Sequence, residues 1–107
     1  MGRKRTSPPI HPGEILKEEF LIPYSLNANR LALAIGVAPN RITGIINGKR
    51  AITGGTAILL AHAFQTTPEF WLNLQAFYDL ELARGQVSAR RIRGAEALAR
   101  ELRRVTG

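Results

Sequence analysis

The fold is decided by residues 27–50, which read NANRLALAIGVAPNRITGIINGKR. Asn27 is a good N-cap, and apolar residues follow it at helical spacing as far as Ile35. Gly36 can take the positive φ that ends a helix in a sharp corner. The first half of the stretch therefore predicts a short helix that ends at Gly36.

A second short helix is predicted from Pro39, because proline fits the first position of a helix. Its Ile42, Ile45 and Ile46 form one apolar stripe, and the Asn-Gly pair at 47–48 stops it. Two helices joined by a glycine-containing turn are typical of a helix-turn-helix unit, whose second helix lies in the major groove of DNA. The alternative is an αα-hairpin in an ordinary helical bundle, with solvated charges.

The solvent side of the second helix offers side chains that can read bases. Asn and Arg make bidentate contacts with base edges, so we predict that Asn40, Arg41 and Thr43 contact bases. Cations just past the helix suit phosphates. The predicted contacts to the DNA backbone are Asn27, Asn29, Arg30, Asn47, Lys49 and Arg50.

The composition limits the classes of function. The 107 residues suit one domain, and the absence of cysteine excludes a disulfide framework and any thiolate site. No run resembles a membrane span or a signal peptide, so a soluble cytoplasmic protein without membrane contact is expected. Neither a Walker-type loop nor a nucleophile elbow occurs, and no carboxylate cluster accompanies the two histidines. We therefore expect no enzyme, no cofactor and no metal site.

Positive charge is concentrated at the two ends of the chain. The net charge of +7 and the pI of about 11.1 suggest a polyanionic partner. Residues 1–13 carry +3 and residues 84–107 carry +5, whereas residues 14–83 carry −1. Within this nearly neutral middle, cations gather in and after the second predicted helix, which is the distribution expected of a specific DNA reader.

Three segments follow from these patterns. Residues 1–10 predict a flexible basic arm. Residues 11–83 predict a DNA-binding and dimerisation domain, which starts with a helix from Glu14 to about Pro23 and continues after the central pair with two more helices. The first of these two helices is predicted to be capped by Thr53 or Thr56 and to end near Phe64. The last helix starts at the Thr-Thr-Pro-Glu run of residues 66–69 and reaches about Leu82.

That last helix is the most aromatic segment of the chain. For Phe70 and Trp71, core packing and an interface are both open. The rest of the helix carries more apolar side chains than one small domain is expected to bury, and large exposed apolar patches usually mark interfaces. We therefore predict a homodimer whose interface includes Trp71, Leu74, Phe77, Tyr78 and Leu80.

Residues 84–107 predict an Arg-rich, partly helical extension. Gly94 interrupts its basic first half, and apolar residues then recur at helical spacing from Ala95 to Val105. A segment of this length is marginal as an isolated helix in water. Besides a frayed tail, the readings left open are a helix that forms on a partner protein, an arm on the DNA backbone and a contact with a membrane surface.

Taken together, four motifs resemble the HigA family of antitoxins, a VapI-like branch of the Cro/lambda-repressor-like helix-turn-helix proteins. The resemblance covers residues 11–80. The motifs are HPGEIL at 11–16, NRI at 40–42, NGKR with Ile52-Thr53 at 47–53, and PEFWLNLQ at 68–75. Where such repressors often carry polar residues in the DNA-facing turns, this chain has Ala28, Ala38, Pro39 and Gly44, so fewer side chains can read bases.

The resemblance implies an all-α fold, a five-helix helix-turn-helix bundle to which the basic C-terminal extension is added. It implies a type II toxin-antitoxin module in which a dimer binds palindromic double-stranded operator DNA, represses its own operon and neutralises a HigB/RelE-like ribonuclease toxin. The runner-up is a stand-alone helix-turn-helix transcriptional regulator without a toxin partner. A third reading is a structural or RNA-binding adaptor that binds through its basic tails.

Overall fold

The computed structural model describes residues 8–106, which form helices and no strand. The all-α class predicted from the sequence is confirmed. Five helices were expected, and the described residues contain six, because the extension adds one. The helices are α1 (Pro12–Ile15, continued by a π-helical turn at Leu16–Leu21), α2 (Ala28–Ile35), α3 (Pro39–Ile46), α4 (Gly54–Phe64), α5 (Pro68–Arg84) and α6 (Ala89–Thr106). The predicted arm at 1–10 lies mostly outside the described residues.

The start of α1 lies two residues before the predicted one. His11 caps it, because its Nδ1 accepts the backbone N–H of Gly13 at 2.9 Å, and Pro12 occupies the first turn. Gly13 lies against the end of α3 so closely that a Cβ would overlap the carbonyl of Ile45. Only glycine allows this approach, which fixes the start of α1 on the last turn of α3.

Local signals set the ends of α2 and α3 as the sequence predicts. Asn27 Oδ1 accepts the N–H of Arg30 at 2.7 Å and caps α2. Gly36 ends α2 with φ +74°, and the N–H of Val37 bonds the carbonyl of Ala32 at 3.0 Å, which closes a Schellman turn. Pro39 then occupies the first turn of α3.

One of the two later caps differs from the prediction. Thr67 caps α5 by accepting the N–H of Phe70 at 3.1 Å, as expected. Thr53 occupies the N-cap position of α4 but makes no side-chain bond to the helix backbone; its hydroxyl donates to Thr56 Oγ1 at 3.4 Å. The start of α4 is therefore held by burial of Thr56 and Ala57 and not by a capping bond.

The core is built where α1 to α5 meet. Trp71 is its largest side chain and is fully buried, with the ring of Phe20 at 5.0 Å and that of Phe70 at 5.0 Å. Its indole N–H donates to Thr66 Oγ1 at 2.8 Å, so the polar atom of the ring is satisfied. The buried apolar residues are Leu16, Leu21, Leu31, Ala32, Ile42, Ile45, Ile52, Ala57, Leu60, Ala61 and Trp71.

Helix α6 stands apart from this core. It includes the basic run before Gly94 as well as the helical spacing predicted from Ala95, and Ser88 Oγ accepts the N–H of Arg91 at 3.2 Å near its start. Every side chain from Ala89 to Val105 is exposed. The radius of gyration is 18.6 Å, against about 13 Å for a compact chain of this length. None of the helices in the described part is long and apolar enough to cross a bilayer.

Candidate nucleic-acid interface

Helix α3 has one buried and one solvent-facing side. Ile42 and Ile45 are fully buried, which fixes the rotation of the helix about its axis. Asn40 and Thr43 are exposed on the other side, and Arg41 is half-buried. The three residues predicted to contact bases are therefore held by a helix on the protein surface.

The polar groups on this side differ in how free they are. The Thr43 hydroxyl donates to the carbonyl of Pro39 at 3.3 Å, so it has acceptor capacity left for a base. Within residues 8–106, no carboxylate forms an ion pair with Arg41, Lys49 or Arg50. These cations are available to phosphates or base edges.

The N-terminus of α2 offers a second polar surface. Asn27 Oδ1 is engaged in its cap, which leaves its amide N–H groups free to donate. Asn29 and Arg30 are exposed beside it. The first N–H groups of a helix lack partners within the helix and point toward anions, so this end suits a phosphate group.

The segment after α3 is folded back onto the helix. Gly48 takes φ +74°, and the N–H groups of Lys49 and Arg50 both donate to the carbonyl of Gly44, at 2.8 and 3.1 Å. Asn47, Lys49 and Arg50 are exposed. The chain therefore fixes the backbone that carries two cations next to the last turn of α3.

Helix α5 holds the same segment from the core side. Gln75 is buried; its Oε1 accepts the N–H of Ile52 at 2.8 Å, and its Nε2 donates to Asp79 Oδ1 at 3.0 Å. Sequence reasoning missed Gln75, because its partner lies 23 positions away. The only signal was a polar residue among the apolar and aromatic residues of α5.

His11 is a second residue whose role the sequence did not show. Its ring packs edge-on against Tyr78 with centroids 4.7 Å apart, and it lies beside Gly48. Burial lowers the pKa of His11 below its usual 6.5, although the charge of Asp79 and a hydrogen bond to the Arg50 backbone act in the opposite direction. Neutral His11 thus joins α1, α5 and the segment after α3. No group of three His, Asp or Glu residues suited to a metal occurs within the described chain.

The predicted dimer residues separate into three groups by exposure. Trp71 is fully buried within its own chain and presents no surface to a partner in this structure, so its predicted role points to the core and not to a direct contact. Leu74 and Tyr78 are half-buried; Leu74 packs on the core and Tyr78 on His11. Phe77 and Leu80 are 59% and 50% exposed on α5, so they are accessible to a second molecule.

Proteins similar in sequence to this chain include helix-turn-helix regulators and an antitoxin. A family model described as helix-turn-helix matches residues 17–71. Virulence-associated protein I of Dichelobacter nodosus is 48% identical over 75% of this chain and 74% of its own. Antitoxin HigA-1 of Vibrio cholerae is 46% identical over 73% of each chain. A helix-turn-helix transcriptional regulator of Haemophilus influenzae is 49% identical over 70% of each chain.

Solved structures agree with this grouping. An addiction module antidote protein of the HigA family from Coxiella burnetii superposes with a TM-score of 0.74 and is 49% identical, covering 82% of this chain and 95% of its own. The antitoxin HigA of Pseudomonas aeruginosa, solved with the higBA promoter, gives a TM-score of 0.72 at 40% identity, over 73% of this chain and 85% of its own. The chain belongs to the HigA family of helix-turn-helix antitoxins, as its motifs predicted.

Proposed function

We propose that this protein is the antitoxin of a type II toxin-antitoxin module. It binds a palindromic operator as a dimer in the cytoplasm, represses its own operon and neutralises a HigB/RelE-like ribonuclease toxin. The proposal assigns the chain no catalytic activity and no cofactor.

The observation that carries the DNA-binding half is the orientation of α3. The buried Ile42 and Ile45 leave Asn40, Arg41 and Thr43 on the solvent side. In a helix-turn-helix protein this side enters the major groove, and phosphate contacts on either side set its register. We propose these phosphate contacts for the exposed start of α2 and for the exposed Lys49-Arg50 pair that follows α3.

Removal of the Arg41 side chain tests the reading helix. We expect Arg41→Ala to weaken operator binding by about 1–3 kcal/mol and to relax preference at one base position. Lys49→Ala should weaken binding to all sequences alike and make the affinity less dependent on salt. Titrations of operator and of single-base variants at two salt concentrations measure both effects. Unchanged affinity and preference in Arg41→Ala would mean that α3 is not the reading helix.

Dimerisation is proposed through α5. Phe77 and Leu80 leave large apolar side chains in solvent, and a second copy is the partner that a palindromic operator requires. Two copies would place their α3 helices about one turn of DNA apart.

The Phe77→Arg variant should be a monomer at a concentration where the wild type sediments as a dimer. The matched control is Leu98→Arg, which alters an exposed leucine of α6 and should leave the dimer intact. A Phe77→Arg protein that still sediments as a dimer would place the interface elsewhere.

The antitoxin half rests on the family and is tested in cells. An adjacent gene of about a hundred codons that encodes a RelE-like toxin should arrest growth when it is expressed alone. Co-expression of this antitoxin with it should restore growth. The two proteins should also purify together.

A stand-alone transcriptional regulator is the second candidate, favoured by the similarity to the Haemophilus regulator. It needs the same α3 surface and predicts no toxic neighbour. A chain that binds its own promoter but neither rescues growth nor retains a partner would be such a regulator.

A further inference from the structure

The solvent side of α3 has a gap at Gly44, one turn after Asn40 and Arg41. Residues three and four positions apart share a helix face, so position 44 belongs to the same face as those two side chains. Glycine offers no side chain there. Related repressors often carry polar residues in the DNA-facing turns, whereas Gly44 can make no side-chain contact.

The gap is filled by Arg50. A Cβ built on Gly44 would lie 2.8 Å from Cδ, 2.9 Å from Cγ and 3.5 Å from Cβ of Arg50. The aliphatic stem of Arg50 therefore lies directly across the glycine. Gly44 also accepts the backbone N–H of Arg50 at 3.1 Å, so both the main chain and the side chain of Arg50 rest on one residue.

We propose that Gly44 is a positioning residue, which seats the Arg50 side chain on the reading face of α3 so that its guanidinium contacts DNA. This inference rests on the proposed operator binding. No carboxylate within residues 8–106 competes for the Arg50 guanidinium. Arg50, from the loop after α3, thus places a cation on the part of the helix face where Gly44 has no side chain.

Steric contact decides what a methyl group at position 44 does. Contacts of 2.8–2.9 Å are too short for carbon atoms, so one group must move. The atoms contacted belong to the flexible aliphatic stem of an exposed side chain, whereas those met at Gly13 are backbone atoms of α3. Gly44→Ala therefore displaces Arg50 and leaves the fold intact, because alanine is also the better helix former.

A double-mutant cycle on operator affinity tests the proposal. We expect Gly44→Ala and Arg50→Ala each to weaken operator binding about tenfold, and the double variant to bind no more weakly than Arg50→Ala alone. The salt dependence should fall in all three variants by the same amount. Gly94→Ala is the matched control: it lies within α6, meets nothing within 4 Å, and should bind as the wild type does.

Thermal unfolding of Gly44→Ala should occur at or above the wild-type midpoint, which separates positioning from damage to the fold. Wild-type affinity in Gly44→Ala, or losses that multiply in the double variant, would overturn the inference while operator binding stands. A wild-type protein that fails to bind its promoter would overturn the proposed function, and the inference with it.

Discussion

Helices α3 and α6 are both amphipathic and both carry arginine, but only α3 has its apolar side buried. The apolar stripe of α3 is fully buried at Ile42 and Ile45, whereas Leu98, Leu102 and Val105 of α6 are 54%, 55% and 81% exposed. The difference shows that periodicity specifies a helix without specifying its partner. Helix α3 has α1, α2 and the core against it, so its exposed residues are fixed in direction. The arginines of α6 have no such framework.

The largest effect is expected at the centre of the framework. Trp71→Ala removes the aromatic side chain around which Phe20 and Phe70 pack, and it leaves Thr66 without its indole donor. We expect the free energy of unfolding to fall by about 3–5 kcal/mol, measured by urea denaturation. Leu102→Ala in α6 is the comparison, and it should change that free energy by less than about 0.5 kcal/mol. Similar losses for the two variants would mean that α6 is packed in solution.

A smaller effect is expected from protonation of His11, which supports the end of α3. Its folded-state pKa is lowered by burial, so the folded protein binds a proton less readily than the unfolded chain does. The contribution of neutral His11 is fully present above pH 6.5, the unfolded value, and is lost as the pH falls through 6.5 and past the lower folded pKa. Protonation also removes the Nδ1 acceptor that caps α1.

Unfolding free energies measured between pH 7.5 and pH 5 check this sign. His11→Gln should flatten the dependence, whereas His62→Gln, which alters an exposed residue of α4, should retain it. A wild-type protein that becomes more stable as the pH falls over this interval would contradict the assignment.

The smallest effect on stability is expected from removing α6. A chain ending at Ser88 loses no buried side chain, because every side chain from Ala89 to Val105 is exposed. Its free energy of unfolding should stay within about 0.5 kcal/mol of the full chain. If the truncated chain had a clearly lower free energy of unfolding than the full chain at micromolar concentration, but not at high dilution, α6 would pack on a second copy.

The contrast between α3 and α6 also marks what the sequence could predict. Caps and turns are local, so Asn27, Gly36, Pro39 and Thr67 revealed the helix boundaries in advance. Helical spacing was recognised only from Ala95, whereas α6 begins at Ala89 and continues through Gly94. One glycine costs only about 1 kcal/mol in a helix, which good helix formers on both sides can offset.

The sequence could predict which residues of α3 are exposed, but not which distant residues hold α3 and the following segment in place. The exposed side of α3 follows from spacing, so Asn40, Arg41 and Thr43 could be named in advance. The roles of His11 and Gln75 depend on residues far away in sequence, and no local pattern records them. Trp71 was assigned to the interface although core packing was equally open for it, because an aromatic residue is common in both places.

The seat of His11 has a practical consequence for handling the protein. Ring atoms of His11 lie 3.8–3.9 Å from the position of a Cβ on Gly48, next to the loop that bears Lys49 and Arg50. A label attached at position 11 would therefore lie beside that loop and could block the approach of a polyanion to its two cations. Helix α6, in contrast, packs closely on no other described helix. Labels placed on exposed positions of α6 are therefore the better choice for binding assays.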